Sequence, residues 1–135
     1  MMKTVCQDDI LQCVKVIRER FGTVASQLGF TEDNAPGFTA FATTKERLDW
    51  QLNEEHRPMY GYYLNGELIG YYSLRIQDNQ ECELNNLGVL PQHRHRKISC
   101  QLLENAFENA RNINCTIMHI GIVEEIFSHL RAAIW

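Results

Sequence analysis

The chain has 135 residues, 44% of them hydrophobic and 22% charged, with 13 Lys+Arg set against 17 Asp+Glu for a net charge of −4. That is the make-up of one ordinary globular domain, expected to span 1–135; disordered, collagen-like and coiled-coil readings drop out, and the acidic balance disfavours a general nucleic-acid binder. No apolar run approaches the roughly 18 residues of a membrane span, and the first residues are polar and acidic rather than signal-like, so a cytoplasmic protein with no membrane partner is expected.

Residues 8–21 come first. Ile10, Leu11, Val14, Ile17 and Phe21 recur at three- and four-residue spacings with charged residues between them, which predicts an amphipathic helix ending near Gly22. Residues 30–42, with Asn34-Ala35-Pro36-Gly37, predict a turn-rich loop. A second helix is expected from Thr43, which stands in capping-box spacing with Glu46, and it ends before Pro58.

From residue 59 the period changes. Two aromatic and β-branched runs, 59–64 and 67–76, flank Asn65-Gly66, the strongest short hairpin signal because both residues accept the positive φ of a type I′ turn. Residues 82–90 follow as a third strand, which completes an antiparallel meander. The tyrosines concentrated here read as sheet packing rather than as a stacking platform for bases. Ile98, Leu102, Leu103, Ala106, Phe107 and Ala110 then share one helix face, and residues 115–123 read as a buried strand. Strand, helix, strand over this span is a right-handed βαβ unit. Ile126, Phe127, Leu130 and Ile134 suggest a short amphipathic helix over 124–135.

Cys6, Cys13, Cys82, Cys100 and Cys115 are scattered and form no CxxC pair, so neither a zinc site nor a redox motif is expected, and no metal is assigned. Reduced cysteines filling the interior fit the composition, with Cys100, beside basic neighbours, left open as a reactive thiol.

The chemistry concentrates where the third strand runs into the next helix. The first turn of a helix carries backbone N–H groups without intrahelical partners, and the positive end of its dipole points the same way. Arg94, Arg96 and Lys97, with His93 and His95, add cations there. A phosphate-bearing ligand, with a diphosphate the simplest match, a solvated charge run and a nucleic-acid patch all fit the charges; confinement to a strand-to-helix turn and the acidic remainder of the chain favour the phosphate.

This order of elements, together with Leu87-Gly88-Val89-Leu90-Pro91-Gln92-His93-Arg94, resembles the GNAT superfamily of acetyl-CoA-dependent N-acetyltransferases over residues 60–125. The resemblance implies an α/β fold with a mixed sheet, an antiparallel meander followed by a βαβ unit. It implies acetyl-CoA as donor and a primary amine of a small molecule or peptide as acceptor, with no nucleic acid involved. A non-catalytic module that binds coenzyme A or a protein partner is the other reading the fold allows. In the family's pyrophosphate motif, Gln/Arg-x-x-Gly-x-Gly/Ala, Arg94 takes the first position, and Lys97 and Ser99 stand where the glycines are expected. Arg94, His95, Arg96, Lys97, Ile98 and Ser99 are thereby assigned to the pyrophosphate. Main-chain groups of Leu87, Gly88 and Val89 are assigned to the pantetheine arm and the thioester, on a strand that splays from its parallel neighbour. The acidic position six residues before the valine is Glu83, the implied general base, with Glu81 as its backup and a plain surface carboxylate as the alternative. Period-2 geometry would put Glu83, Asn85, Leu87 and Val89 on one face.

The family's C-terminal helix and strands are expected to be lacking here: Ile126 stands where an Asn is expected and no tyrosine follows Tyr72. A sheet ending at Val123 would leave an apolar edge at Ile117, Ile120 and Ile122. The 124–135 helix, or a second chain in a homodimer, is expected to cover it.

Overall fold

Aromatic and β-branched residues whose side chains point alternately to both faces of a sheet need cover on both sides. The computed structural model, which describes residues 1–93 and 96–120 and the main chain of 130–133, shows that cover. Strands β1 (Met2–Thr4), β2 (Met59–Leu64), β3 (Glu67–Ile76), β4 (Glu81–Val89), β5 (Ile117–Ile120) and β6 (Leu130–Ala133) form a six-stranded sheet in chain order. All neighbours are antiparallel except β4 and β5, which are parallel and joined through helix α4 (Ile98–Asn112). Helix α1 (Ile10–Leu28) and α4 both pack on β3 and β4.

Two glycines show that the helices lie on opposite faces. A Cβ on Gly70 would stand 2.9 Å from Cδ1 of Leu102 in α4, and one on Gly88 would stand 2.7 Å from Cγ of Arg20 in α1. Gly70 pairs with Val89 and Gly88 with the adjacent Tyr71, so the two positions face opposite ways. The result is a three-layer α/β/α arrangement, the mixed fold expected. Tyr71 and Tyr72 are fully buried in its centre. The Tyr72 hydroxyl donates to Asn105 Oδ1 at 2.7 Å and accepts from Asn109 Nδ2 at 2.8 Å, which satisfies its polar end against α4. The tyrosines are thus sheet packing, as read from their pattern.

The meander and its turn are as expected, with Asn65 at φ 52° and Gly66 at φ 82°. Four boundaries differ. α1 runs through Gly22 and stops at Gly29, φ 71°, where Phe30 N–H donates to Ala25 O at 2.8 Å and Gly29 N–H to Ser26 O at 3.4 Å. A glycine inside a helix weakens it by about 1 kcal/mol without ending it; a left-handed cap with paired carbonyls ends it. Residues 30–42 include a single turn, α2 (Thr39–Ala42). Helix α3 (Lys45–Asn53) is capped by Thr44, whose Oγ1 accepts from Arg47 N–H at 3.2 Å, while Thr43 is buried and donates its hydroxyl to Thr39 O at 2.7 Å. β1 carried no sequence signal, being three residues of mixed polarity held only by pairing to β2.

The largest difference lies at the end of the chain. Leu130–Ala133 is a strand paired antiparallel with β5, from Ile117↔Ala133 to Ile120↔Leu130, so one strand does follow β5 and its outer edge is covered within the chain. This overturns the helix expected at those positions and removes the premise for a second chain along β5. The rest of 121–135, Ile126 included, lies outside the described residues. Cys13, Cys82 and Cys115 are buried as expected; Cys6 and Cys100 are exposed. No helix among the described residues is long and apolar enough to cross a membrane.

The Thr44 cap is testable. Thr44→Ala should lower unfolding free energy by about 1 kcal/mol in urea denaturation, through loss of the bond to Arg47 N–H. A change within about 0.3 kcal/mol would show that the cap is not where α3 draws its stability.

Candidate active site

β4 does not keep a strict two-residue period. Tyr71 pairs with Gly88 and Ser73 with Asn85, so two steps along β3 match three along β4. The extra residue is accommodated at Asn86, whose φ is 57°. Asparagine tolerates that left-handed conformation better than most side chains, which suits it to a bulge. The bulge inverts the alternation. Glu83 and Asn85 share the α1 face with Gly88, whereas Val89, opposite Gly70, faces α4 and is buried. The expectation that Glu83, Asn85, Leu87 and Val89 form one row is corrected on that ground, and Val89 has only its main chain to offer a ligand on the Glu83 face.

On that face Glu83 lines a cavity of about 240 Å³. One wall comes from the α2–α3 region with Thr43, Arg47 and Gln51, and the other from Arg57, Arg75 of β3, and Asn85 and Asn86 of β4. Arg75 stands directly opposite Glu83 in the ladder. Arg57 is neutralised by Glu55, with Nε to Oε2 at 2.6 Å and Nη2 to Oε1 at 3.0 Å. Those bonds hold the Glu55 carboxyl below the usual carboxylate range despite partial burial, so it stays ionised at neutral pH.

A pair that the sequence reading did not single out lies beside Glu83. His119 of β5 is the register partner of Glu83, and its Nε2 is 2.7 Å from Glu81 Oε1. Its signal was the single polar residue within Ile117-Met118-His119-Ile120: Met118 is fully buried, so alternation turns His119 to the opposite face, with Glu83. Glu81, the backup base, is therefore tied to a histidine.

The turn into α4 has the expected donors. Lys97 is the N-cap at φ 59°, ψ 17°, and its carbonyl accepts the first helical bond, from Gln101 N–H at 3.2 Å. A lysine side chain has no acceptor with which to cap, and no acceptor for the N–H groups of Ile98, Ser99 and Cys100 is found among the described residues. Ile98 is buried under the sheet and can contribute only its main chain; Arg96, Lys97 and Ser99 are exposed. Leu87 is half-buried. Arg94 and His95 lie outside the described residues, as do those that would show a splay between β4 and β5. No His, Cys, Asp or Glu cluster among the described residues is arranged to hold a metal ion.

The profile of the acetyltransferase (GNAT) family matches residues 27–130. No curated protein sequence matches the chain. Among solved structures, PaiA N-acetyltransferase from Thermoplasma acidophilum, in complex with coenzyme A, is 19% identical with a TM-score of 0.79 over 93% of this chain and 80% of that one. The ribosomal-protein-S18-alanine N-acetyltransferase from Escherichia coli is 10% identical, TM-score 0.69, over 92% of this chain and 67% of that one. The ribosomal-protein-alanine N-acetyltransferase from Brucella melitensis is 18% identical, TM-score 0.67, over 90% and 74%. At these identities the likeness is one of fold.

Lys97 occupies a left-handed conformation that costs a side-chain-bearing residue roughly 1–2 kcal/mol and glycine almost nothing. Lys97→Gly should therefore raise unfolding free energy by about 1 kcal/mol, once the greater freedom of glycine in the unfolded chain is subtracted. Destabilisation in urea denaturation would mean that the lysine side chain stabilises the turn by more than its backbone costs.

Proposed function

Because the chain belongs to the acetyltransferase (GNAT) family, we propose that it transfers the acetyl group of acetyl-CoA to a primary amine of a small molecule or peptide, with Glu83 as general base. The observation that carries this reading is the position of Glu83 along a cavity on β4, the strand that leads into the start of α4, where Lys97 gives no side-chain cap. A fold relative bound to coenzyme A and others named for acetylation of a ribosomal-protein alanine support coenzyme A as donor and an amine as acceptor.

In this reading the pyrophosphate of the donor is held by the first-turn N–H groups of α4, with Arg94, His95, Arg96, Lys97 and Ser99 supplying charge and hydroxyl donors. Main-chain groups of Leu87, Gly88 and Val89 hold the pantetheine arm and polarise the thioester carbonyl, which favours the tetrahedral intermediate as charge develops on its oxygen. An amine enters protonated, and a protonated amine has no lone pair. Glu83 takes its proton, directly or through water; the nitrogen then attacks the carbonyl carbon, the C–S bond breaks, coenzyme A leaves as the thiolate, and the second proton passes from the acylated nitrogen to that thiolate or to solvent. Asn85, on the same face, lies where it can orient the incoming group.

Calorimetry with coenzyme A and, in parallel, with its pantetheine fragment tests the donor site: coenzyme A should bind and the fragment should bind much more weakly. Glu83→Gln should lower kcat by about 100-fold or more with coenzyme A affinity unchanged, because the carboxylate acts on the amine. If Glu83→Gln retains full turnover while His119→Ala loses it, the base is the His119–Glu81 pair. Coenzyme A binding with no acetylation of any amine offered would favour the non-catalytic module.

A further inference from the structure

The charge around Glu83 is unlike what a cationic amine would select. Three arginines, Arg47, Arg57 and Arg75, line the same cavity as that one carboxylate, in a chain whose overall charge is −4. Arg57 is already spoken for by the two-bond pairing with Glu55. Neither Arg47 nor Arg75 is within ion-pair distance of a carboxylate among the described residues. With the Arg57–Glu55 pair neutral, the cavity keeps two unpaired guanidinium groups against one carboxylate. Gln51, 7% exposed, also lines the cavity, and its buried Oε1 has no hydrogen-bond partner among the described residues.

From this arrangement we infer that the acceptor is an acidic amine, one carrying a carboxylate or phosphate within a few bonds of the nitrogen that is acetylated. The inference rests on the acetyltransferase reading and narrows its substrate class. Arg75 and Glu83 are direct cross-strand neighbours, and such positions hold their Cβ atoms about 4.5–5.5 Å apart. An acid group held by the Arg75 guanidinium therefore leaves an ammonium a few bonds away facing the Glu83 carboxylate, with Arg47 on the opposite wall as a second hold on the acid. Guanidinium is suited to that task by its planar fork of donors, which matches carboxylate and phosphate oxygens two at a time. The cavity, about 240 Å³, is smaller than the roughly 300–1,000 Å³ of drug-sized ligand pockets and matches a group about the size of one amino-acid residue, with its open side free for the rest of the acceptor. A polyamine meets two unpaired positive charges here and is disfavoured.

The test uses acceptors in matched pairs: glutamate, aspartate, a peptide beginning with glutamate and an aminoalkyl phosphonate, each beside its ester or amide, with spermidine as the polycation. Release of coenzyme A gives kcat/KM, and calorimetry on the chain loaded with coenzyme A gives binding whether or not turnover follows. Acid forms should be favoured at least tenfold over their masked forms. Arg75→Ala and Arg47→Ala should each erase most of that preference through KM while leaving coenzyme A affinity unchanged, and Arg75→Lys should restore part of it. Free acids outperforming the peptide would assign the site to a small molecule, the reverse to a peptide terminus. Equal binding of acid and ester, or a preference for spermidine, overturns the inference. Failure of coenzyme A to bind refutes the donor reading instead, and the acid-versus-ester comparison on the unliganded chain still decides whether the cavity selects anions.

Discussion

One inserted residue in β4 governs the geometry of everything that follows it. Without the bulge at Asn86, the residues from Leu84 onward would hold a single alternation, and either Glu83 would turn toward α4 or Val89 would lose its place beneath that helix. The extra residue lets one strand serve two layers. Its first half presents Glu83 and Asn85 to the α1 and α3 side, and its last residue, Val89, is locked into the α4 side before the chain turns into the helix. A bulge also withdraws one residue's main-chain groups from the ladder, and it does so between the cavity and the residues assigned to the thioester.

The helices depend on the same strand. Gly88 has no side chain, so the stem of Arg20 lies directly over it, and Gly70 leaves room for Leu102 and Ile98 on the other face. These approaches bring α1 and α4 close to the middle of the sheet, where Tyr71, Tyr72, Leu74 and Leu102 are fully buried. Burying a large side chain fully is worth about 1.5–3 kcal/mol, so the sheet centre is where most stability resides and where the least movement is expected. Glu83 is positioned from that centre, while the opposite wall of its cavity is built from α2 and α3, short elements held against α1 by the buried Leu48 and by Arg18, whose Nη1 donates to Thr43 O at 3.0 Å.

Much of this was legible in the residues. The hairpin at Asn65-Gly66, the meander, the βαβ unit and the donor-rich turn before α4 all follow from patterns with a local cause: positive φ at a turn, a two-residue period, a 3.6-residue period, an uncapped helix start. What was not legible depended on partners far away in sequence. β1 and β6 are strands only because β2 and β5 offer them an edge, and the run Leu130-Arg131-Ala132-Ala133 reads equally well as part of a helix until that edge is known. The bulge was hidden for a related reason: Asn85-Asn86 in a strand is a weak hint, and only the mismatch with β3 shows that one of them is extra. His119 is not legible either: a single histidine in an apolar run reads as a core residue, and only the register with β4 shows that it stands beside Glu83.

The same dependence explains why an overall acidic protein can have a locally cationic cavity. Net charge sets the field at long range, where salt screens it over a Debye length of about 8 Å at physiological ionic strength. At an open cavity the nearest groups count most, and here they come from three elements: Arg47 on α3 and Arg75 on β3, both exposed, and Arg57 just before β2. Among the described residues the one carboxylate that pairs with any of them is Glu55, two residues from Arg57 along the chain, where a local bond needs no tertiary arrangement. Arg75 faces Glu83 across the ladder without forming an ion pair with it, so neither charged group is occupied by the other. A direct bridge would occupy both groups; in the proposed reaction, their separation leaves the guanidinium to hold an acid group and the carboxylate to take a proton.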